Sequence, residues 1–170
     1  IGTMNVLNLA KQYNKPVVHV STDEVYGALT GNLESWDENE PLKPNSPYSA
    51  SKASSDLIAL SFFKTYGMDI RITRCCNNFG IGQHAEKLLP KSILSAINDK
   101  EISIYGDGKQ IRDMLHINDL INGYQLAIKK IDKTAGQAFN IGGGPENALS
   151  IWKEVDPLLE KLFGKTIPVK

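Results

Sequence analysis

The sequence predicts an α/β protein built on a parallel sheet, on three observations. Helical spacing gives way to a short β-branched run twice in succession: residues 3–13 then 17–21, and residues 48–66 then 69–75. Helix–strand alternation of this kind favours parallel pairing, because a chain returning to the same end of a sheet needs a crossover long enough to hold a helix. Ser21-Thr22-Asp23-Glu24 stands just past the first strand, at the carboxyl end where open parallel sheets place ligands.

The first helix, TMNVLNLAKQY, carries Val6, Leu7 and Ala10 on one side. Entry into it directly from Ile1-Gly2-Thr3 leads us to expect a larger protein. Asn14-Lys15-Pro16 turns the chain into VVHVS at 17–21. Residues 27–47 read as loop, with Gly27, Gly31, Asn32 and prolines enclosing Trp36 and the acidic run DENE. The next helix, Tyr48 to Tyr66, has Ala50, Ala53, Leu57, Leu60 and Phe62-Phe63 at roughly helical intervals and Gly67 as its stop.

DIRITRC at 69–75 is the second strand, and CNNFGIGQHAEKLLP reads as a turn with a short helical piece. Pro90 is expected to open the helix KSILSAINDK. A strand ISIYG at 102–106 with a Gly106-Asp107-Gly108 turn should follow, then a strand at 114–117. Asn118 is expected to cap the helix DLINGYQLAIKKI. After a strand AFNI at 138–141 and Gly142-Gly143-Gly144, Ser150 should cap a last helix that Pro157 kinks or splits. The tail KTIPVK is strand-like with no evident partner.

Composition excludes several classes of function. Nineteen basic residues balance nineteen acidic ones, so no nucleic-acid or other polyanion surface is indicated. No apolar run approaches a membrane span, and residues 1–15 lack the basic start and apolar core of a signal peptide. Cys75 and Cys76 are adjacent, which suits neither a disulfide framework nor metal ligation, and a reducing, cytoplasmic setting is expected. His19, His84 and His116 are scattered, so no metal site is expected.

Tyr48 and Lys52 are the first candidates for chemistry. Four residues apart on a helix, they share a face, and an ammonium beside a phenol favours the phenolate. Pairs at this spacing also occur on many helices with no function. Asp23 and Glu24 could divide acid and base roles, but neighbours on an extended strand point to opposite faces, so they serve one site only if the backbone turns. Solvated loop acids are the alternative, and Thr22 is either a hydroxyl donor to a site or a local cap. Asn77 and Asn78 before Gly80 suit either ligand orientation or turn chemistry. Cys75 and Cys76 read as packed strand-end thiols, and Arg112 as a phosphate ligand or a surface ion-pair partner. His19 and Trp36 receive no catalytic role. No GxGxxG occurs in the sequence.

Taken together, VSTDEVYG at 20–27, PYSASKA at 47–53, TRCCNNFG at 73–80, EKLLP at 86–90, IYGDGKQIRD at 104–113 and AFNIGGG at 138–144 resemble the extended short-chain dehydrogenase/reductase family of NAD-dependent epimerases and dehydratases. Within it the nucleotide-sugar 4,6-dehydratase branch is the most similar. The resemblance implies part of a Rossmann-like parallel sheet with helices and part of a smaller substrate-binding region. On that basis residues 1–80 and 114–143 would belong to the NAD-binding domain, and 81–113 and 144–170 to the substrate-binding part. Family members begin with a strand and glycine-rich turn for the cofactor diphosphate. That half is absent here, so the chain resembles the middle and later part of a longer protein, and these residues alone would hold NAD weakly.

The implied reaction acts on an NDP-glucose, dTDP-glucose first. Tyr48, its pKa lowered by Lys52, would deprotonate the sugar 4-hydroxyl, with Thr22 sharing the hydrogen bond. Glu24 would then remove the C5 proton and Asp23 would protonate the departing 6-hydroxyl. Ser21, Tyr48, Lys52, Cys75 and Cys76 would contact NAD. Asn77, Glu86, Lys87, Leu88, Arg112 and Asn140 would contact the nucleotide sugar. A homodimer through helix 48–66 is implied as well. Asp23-Glu24 separates the branches: C4 epimerases of the family generally carry small or neutral residues there, and decarboxylase relatives keep only the glutamate. Phe79 departs from the dehydratase pattern, which has tyrosine. A UDP- or CDP-sugar epimerase acting at C4 or C2, and a non-catalytic structural or association module, are the competing readings.

Overall fold

The computed structural model describes residues 1–29, 35–102, 109–150 and 154–168. The chain forms two compact units, one from Ile1–Cys76 with Asn118–Gly142, the other from Asn77–Ile117 with Gly143–Lys170. The elements in chain order are α1 (Gly2–Gln12), β1 (Val17–Thr22), a 3-10 turn (Asp23–Tyr26), α2 (Pro47–Tyr66), β2 (Ile70–Cys75), β3 (Asn77–Phe79), α3 (Leu88–Ile97), β4 (Ile111–His116), α4 (Ile117–Lys129), α5 (Ile131–Thr134), β5 (Ala138–Ile141), a second 3-10 turn (Pro145–Asn147), β6 (Ala148–Ser150) and α6 (Asp156–Phe163).

The first unit is α/β with a three-stranded parallel sheet in the order β1-β2-β5. β2 is central and buried along its whole length, as expected of a strand paired on both edges. Its apolar residues Ile70 and Ile72 meet Leu7 of α1, Ala59 and Phe62 of α2, and Met68 in one core. Register brings Thr22 opposite Cys75 and Cys75 opposite Ile141, so all three strands end at one level.

α2 shows why the helix was readable. Ser46 and Ser49 form a reciprocal capping box, Pro47 fills the first turn where no N–H is needed, and Gly67 closes the helix at φ 64°. α4 begins two residues earlier than expected, so Asn118 lies inside its first turn and is not its cap.

The second unit has a three-stranded sheet in the order β3-β4-β6, parallel between the first two and antiparallel between the last two. Residues 77–79, expected as a turn, form β3 because β4 supplies a partner for their backbone; β4 itself starts at Ile111 and not at Met114. α3 starts at Leu88, leaving Pro90 in its first turn, where proline is tolerated. Pro157 likewise falls in the first turn of α6, which starts at Asp156 directly after a π-helical pair, Glu154–Val155. Ser150 ends β6, and its N–H donates to the Glu154 carboxylate. The tail has a partner after all: Pro168 O accepts from Ile102 N at 2.8 Å, and Ile167 is buried with Ala96, Ile102, Val155 and Leu159. The expected ISIYG strand beyond Ile102 and the Gly106–Gly108 turn lie outside the described residues.

Among the described residues no helix is long and apolar enough to cross a membrane. No group of three or more His, Cys, Asp or Glu among them could hold a metal.

Candidate active site

β1 runs out at Thr22, and the chain turns at once. Thr22 is extended (φ −144°, ψ 153°) and caps the 3-10 turn: its Oγ1 accepts from Glu24 N at 3.3 Å and donates to Asp23 Oδ1 at 3.3 Å. The turn closes at Gly27, where φ is 88° and a Cβ would meet Lys43 O at 2.3 Å, so only glycine fits. This turn removes the obstacle that strand alternation posed for Asp23 and Glu24. Both carboxylates now act on one phenol, that of Tyr48.

Tyr48 sits in the first turn of α2 and is 55% exposed, so a ligand can reach it. Partial burial holds its phenol above the ordinary tyrosine value, and the charges of Glu24, Cys75 and Asp23 push in the same direction. This is opposite to the shift expected from Lys52. The reason is geometric: Lys52 Nζ donates at 2.6 Å to Val20 O on β1, and dehydration with two carboxylates governs the phenol.

Cys75 lies beneath this group. Its thiol donates to Ser21 O at 3.6 Å and accepts from Tyr124 Oη of α4 at 3.9 Å, while Cys76 N pairs with Ile141 O at 3.1 Å. Both cysteines are buried strand-end thiols. Burial and the neighbouring Cys75 raise the Tyr124 phenol well above its usual range.

A buried polar network, unforeseen from the sequence, underlies the site. Asp56 of α2 faces Arg74 Nε at 2.9 Å through Oδ2 and His19 Nε2 at 3.1 Å through Oδ1. Arg74 Nη1 donates to Tyr26 Oη at 2.6 Å, and Tyr26 Oη donates to Asn140 Oδ1 at 2.8 Å. Burial raises the Asp56 carboxyl, but the polar side chains of His19 and Ser21 beside it, with the hydrogen bond and charge of Arg74, outweigh it and hold the group below the usual carboxylate value. Asn140 Nδ2 donates to Trp36 O at 3.0 Å, and Trp36 stacks on Tyr26. The Asn140 side chain, expected to meet substrate, is thus engaged within the unit at both amide atoms. The available signal was an aspartate at 56 on the same helix stripe as Ala53 and Ala59, and an arginine inside a β-branched strand.

The first unit therefore gathers Ser21, Thr22, Asp23, Glu24, Tyr48, Lys52, Cys75 and Cys76 at one sheet end. Five expected residues belong to the second unit. Asn77 is an exposed residue of β3, and Leu88 opens α3. Lys87 Nζ is 3.7 Å from Glu86 Oε1, an exposed pair of little energetic weight. Arg112 lies on β4, exposed, with Nη1 donating to Ile111 O at 3.1 Å. Next to it, both Asp113 carboxylate oxygens accept from Gly143 N, at 2.9 and 3.0 Å; a Cβ at Gly143 would meet Met114 O at 2.3 Å.

Residues 1–142 match the NAD dependent epimerase/dehydratase family. dTDP-glucose 4,6-dehydratase of Streptomyces antibioticus is 41% identical, aligned over 95% of this chain and 51% of that protein. The corresponding protein of an Actinoplanes species is 46% identical over 86% of this chain and 45% of its own length. The chain thus spans about half the length of the curated relatives it matches. Among solved structures, dTDP-glucose 4,6-dehydratase from Bacillus anthracis in complex with NAD superposes with a TM-score of 0.92 at 42% identity, covering 100% of this chain and 54% of the other. UDP-glucuronic acid 4-epimerase from Bacillus cereus, in complex with UDP-glucuronic acid and NAD, gives 0.91 at 30% identity, covering 99% and 52%.

Proposed function

The chain belongs to the NAD-dependent epimerase/dehydratase family, and on that premise we propose that the intact protein is an NDP-glucose 4,6-dehydratase, with dTDP-glucose its first substrate. The observation that carries this reading is the 3-10 turn that sets both Asp23 and Glu24 at the sheet end where Lys52 of α2 bonds to β1, with Tyr48 one turn before it. An epimerase that only oxidises and reduces one carbon needs the phenol; eliminating water from neighbouring carbons needs a further base and a further acid.

The residues present fit the nicotinamide-ribose end of NAD. Lys52 has three N–H donors, of which Val20 O takes one, so it can also reach ribose hydroxyls, and Tyr48 is open beside it. Ser21, Cys75 and Cys76 supply the packed strand ends beneath. Bound NAD supplies reversible hydride storage, which the side chains cannot.

Tyr48 takes the proton of the sugar 4-hydroxyl, and Thr22, already donating toward Asp23, shares that hydrogen bond. Tyr48 serves as the base in its phenolate form, which the Lys52 ammonium one turn along the same helix favours against the burial and the carboxylates that hold the phenol up. Once C4 carries a carbonyl, the C5 hydrogen is acidic. Glu24, exposed, removes it, and Asp23 delivers a proton to the leaving 6-hydroxyl. On the second unit, Asn77, Glu86, Lys87, Leu88 and Arg112 are assigned to nucleotide-sugar binding, with Arg112 suited to a phosphate. We further assign self-association to the outer face of α2, where Leu57 is 60% exposed, and a cytoplasmic setting.

Mass spectrometry of an NDP-hexose panel incubated with the intact protein and NAD tests this. Loss of one water from dTDP-glucose supports the dehydratase. Inversion at C4 or C2 without water loss supports an epimerase.

A further inference from the structure

We propose that Asp56, Arg74 and Tyr26 form a buried bridge that sets the separation between the Tyr48–Lys52 pair and the Asp23–Glu24 pair, making all three positioning residues of the site. Each member belongs to a different element. Asp56 is on α2, one turn beyond Lys52; Arg74 is on β2; Tyr26 is in the 3-10 turn that carries Asp23 and Glu24. Arg74 joins the other two through Nε and Nη1, at 2.9 and 2.6 Å. A guanidinium is planar and its donors are fixed relative to one another, so these two bonds define a span and an angle that apolar contact does not.

Apolar packing brings these elements together without fixing an angle. α2 meets the sheet through Ala59 and Phe62 and the 3-10 turn through Ala53 against Val25 and Tyr26, but burial of such surface is non-directional. The other polar tie between α2 and β1 among the described residues is Lys52 on Val20 O, a single exposed bond from a long flexible side chain, which cannot hold the helix to one position. Asp56 can, because one oxygen meets β1 through His19 and the other meets β2 through Arg74. The members are 0%, 3% and 3% exposed, so water does not compete for them. A buried ion pair is on balance close to neutral for stability when compared with apolar residues of similar volume, so stability alone gives little reason for an aspartate and an arginine here. Tyr26 also donates to Asn140 on β5, which extends the bridge across every strand of the sheet.

The inference rests on the reading that Tyr48 and Glu24 serve one reaction, and its readout needs no turnover. The test is a double-mutant cycle on the Tyr48 titration in the intact protein, followed by NMR of ring-labelled tyrosine. Glu24→Gln removes a charge that raises the phenol, so it should shift the Tyr48 titration downward in the unmodified background. In a Tyr26→Phe background, which deletes only the bridging hydroxyl, that shift should shrink; Asp56→Asn should act alike. Ile72→Val, which loosens the core without touching the bridge, should leave it whole. If Tyr26→Phe does not fold, Arg74→Lys, which keeps the charge and loses the fork, is read in its place. Equal shifts with and without the bridge overturn the bridge alone. No shift in the unmodified background overturns the pairing of Tyr48 with Glu24, and the bridge with it.

Discussion

Lys52 Nζ donates a 2.6 Å hydrogen bond to Val20 O, which ties the first turns of α2 to β1 two residues before Thr22. The contact puts the ammonium at the sheet end where the 3-10 turn presents Asp23 and Glu24. Replacing Lys52 by Met keeps length and removes both charge and bond. We expect kcat to fall by about 10²–10⁴-fold, the usual weight of a positioned acid–base group, with a stability loss of about 1 kcal/mol. Steady-state kinetics and thermal melts measure the two separately, and a stability loss with unchanged kcat contradicts the role.

Glu24→Gln should stop elimination while leaving the fold intact, because Glu24 is exposed and its backbone N–H, not its carboxylate, makes the capping bond. In D2O the intact protein should exchange solvent deuterium into C5 of the sugar, and the variant should lose that exchange by about 10²-fold or more.

Gly27→Ala tests the turn itself. At φ 88°, with Lys43 O at 2.3 Å from the added Cβ, the substitution should cost about 1–3 kcal/mol and lower activity beyond the loss of folded protein. Activity per folded molecule equal to the parent's would show that the turn does not place the carboxylates.

pH dependence should show two limbs. Tyr48, Tyr26 and Tyr124 are raised above the ordinary phenol value by burial, so below about pH 10 their contribution is complete, and stability falls as pH climbs through their folded values. Asp56 is net lowered, so its contribution is present above the ordinary carboxyl value and disappears as pH falls through the folded one. Denaturant melts against pH should lose slope on the acid side in Asp56→Asn and on the alkaline side in Tyr124→Phe.

The sequence exposed what is local and hid what is long-range. Ser46-Pro47 and Gly67 bound α2 because capping is chemistry between near neighbours, and Tyr48 with Lys52 follows from that helix. The direction of the Tyr48 shift could not be read the same way. The sequence shows a lysine four residues away, but not that the turn after β1 brings the charges of two carboxylates to bear on the phenol. Asn77-Asn78 looked like a turn because their strand partner, Met114-Leu115, is remote in sequence. The Asp56–Arg74–Tyr26 bridge joins residues 18 and 48 apart, and at those separations neither period nor spacing carries a signal. Pro90 was expected to open a helix but sits inside the first turn of α3, because the helix start depends on backbone pairing that proline does not mark by itself.

The central claim is that the carboxylates beside Tyr48 carry elimination. Its most direct measurement is mass spectrometry of dTDP-glucose after incubation in D2O with the intact protein and NAD. The account predicts a product lighter by one water with solvent deuterium at C5, both lost in Glu24→Gln. A product of unchanged composition inverted at C4 or C2, formed equally well by Glu24→Gln, would contradict it.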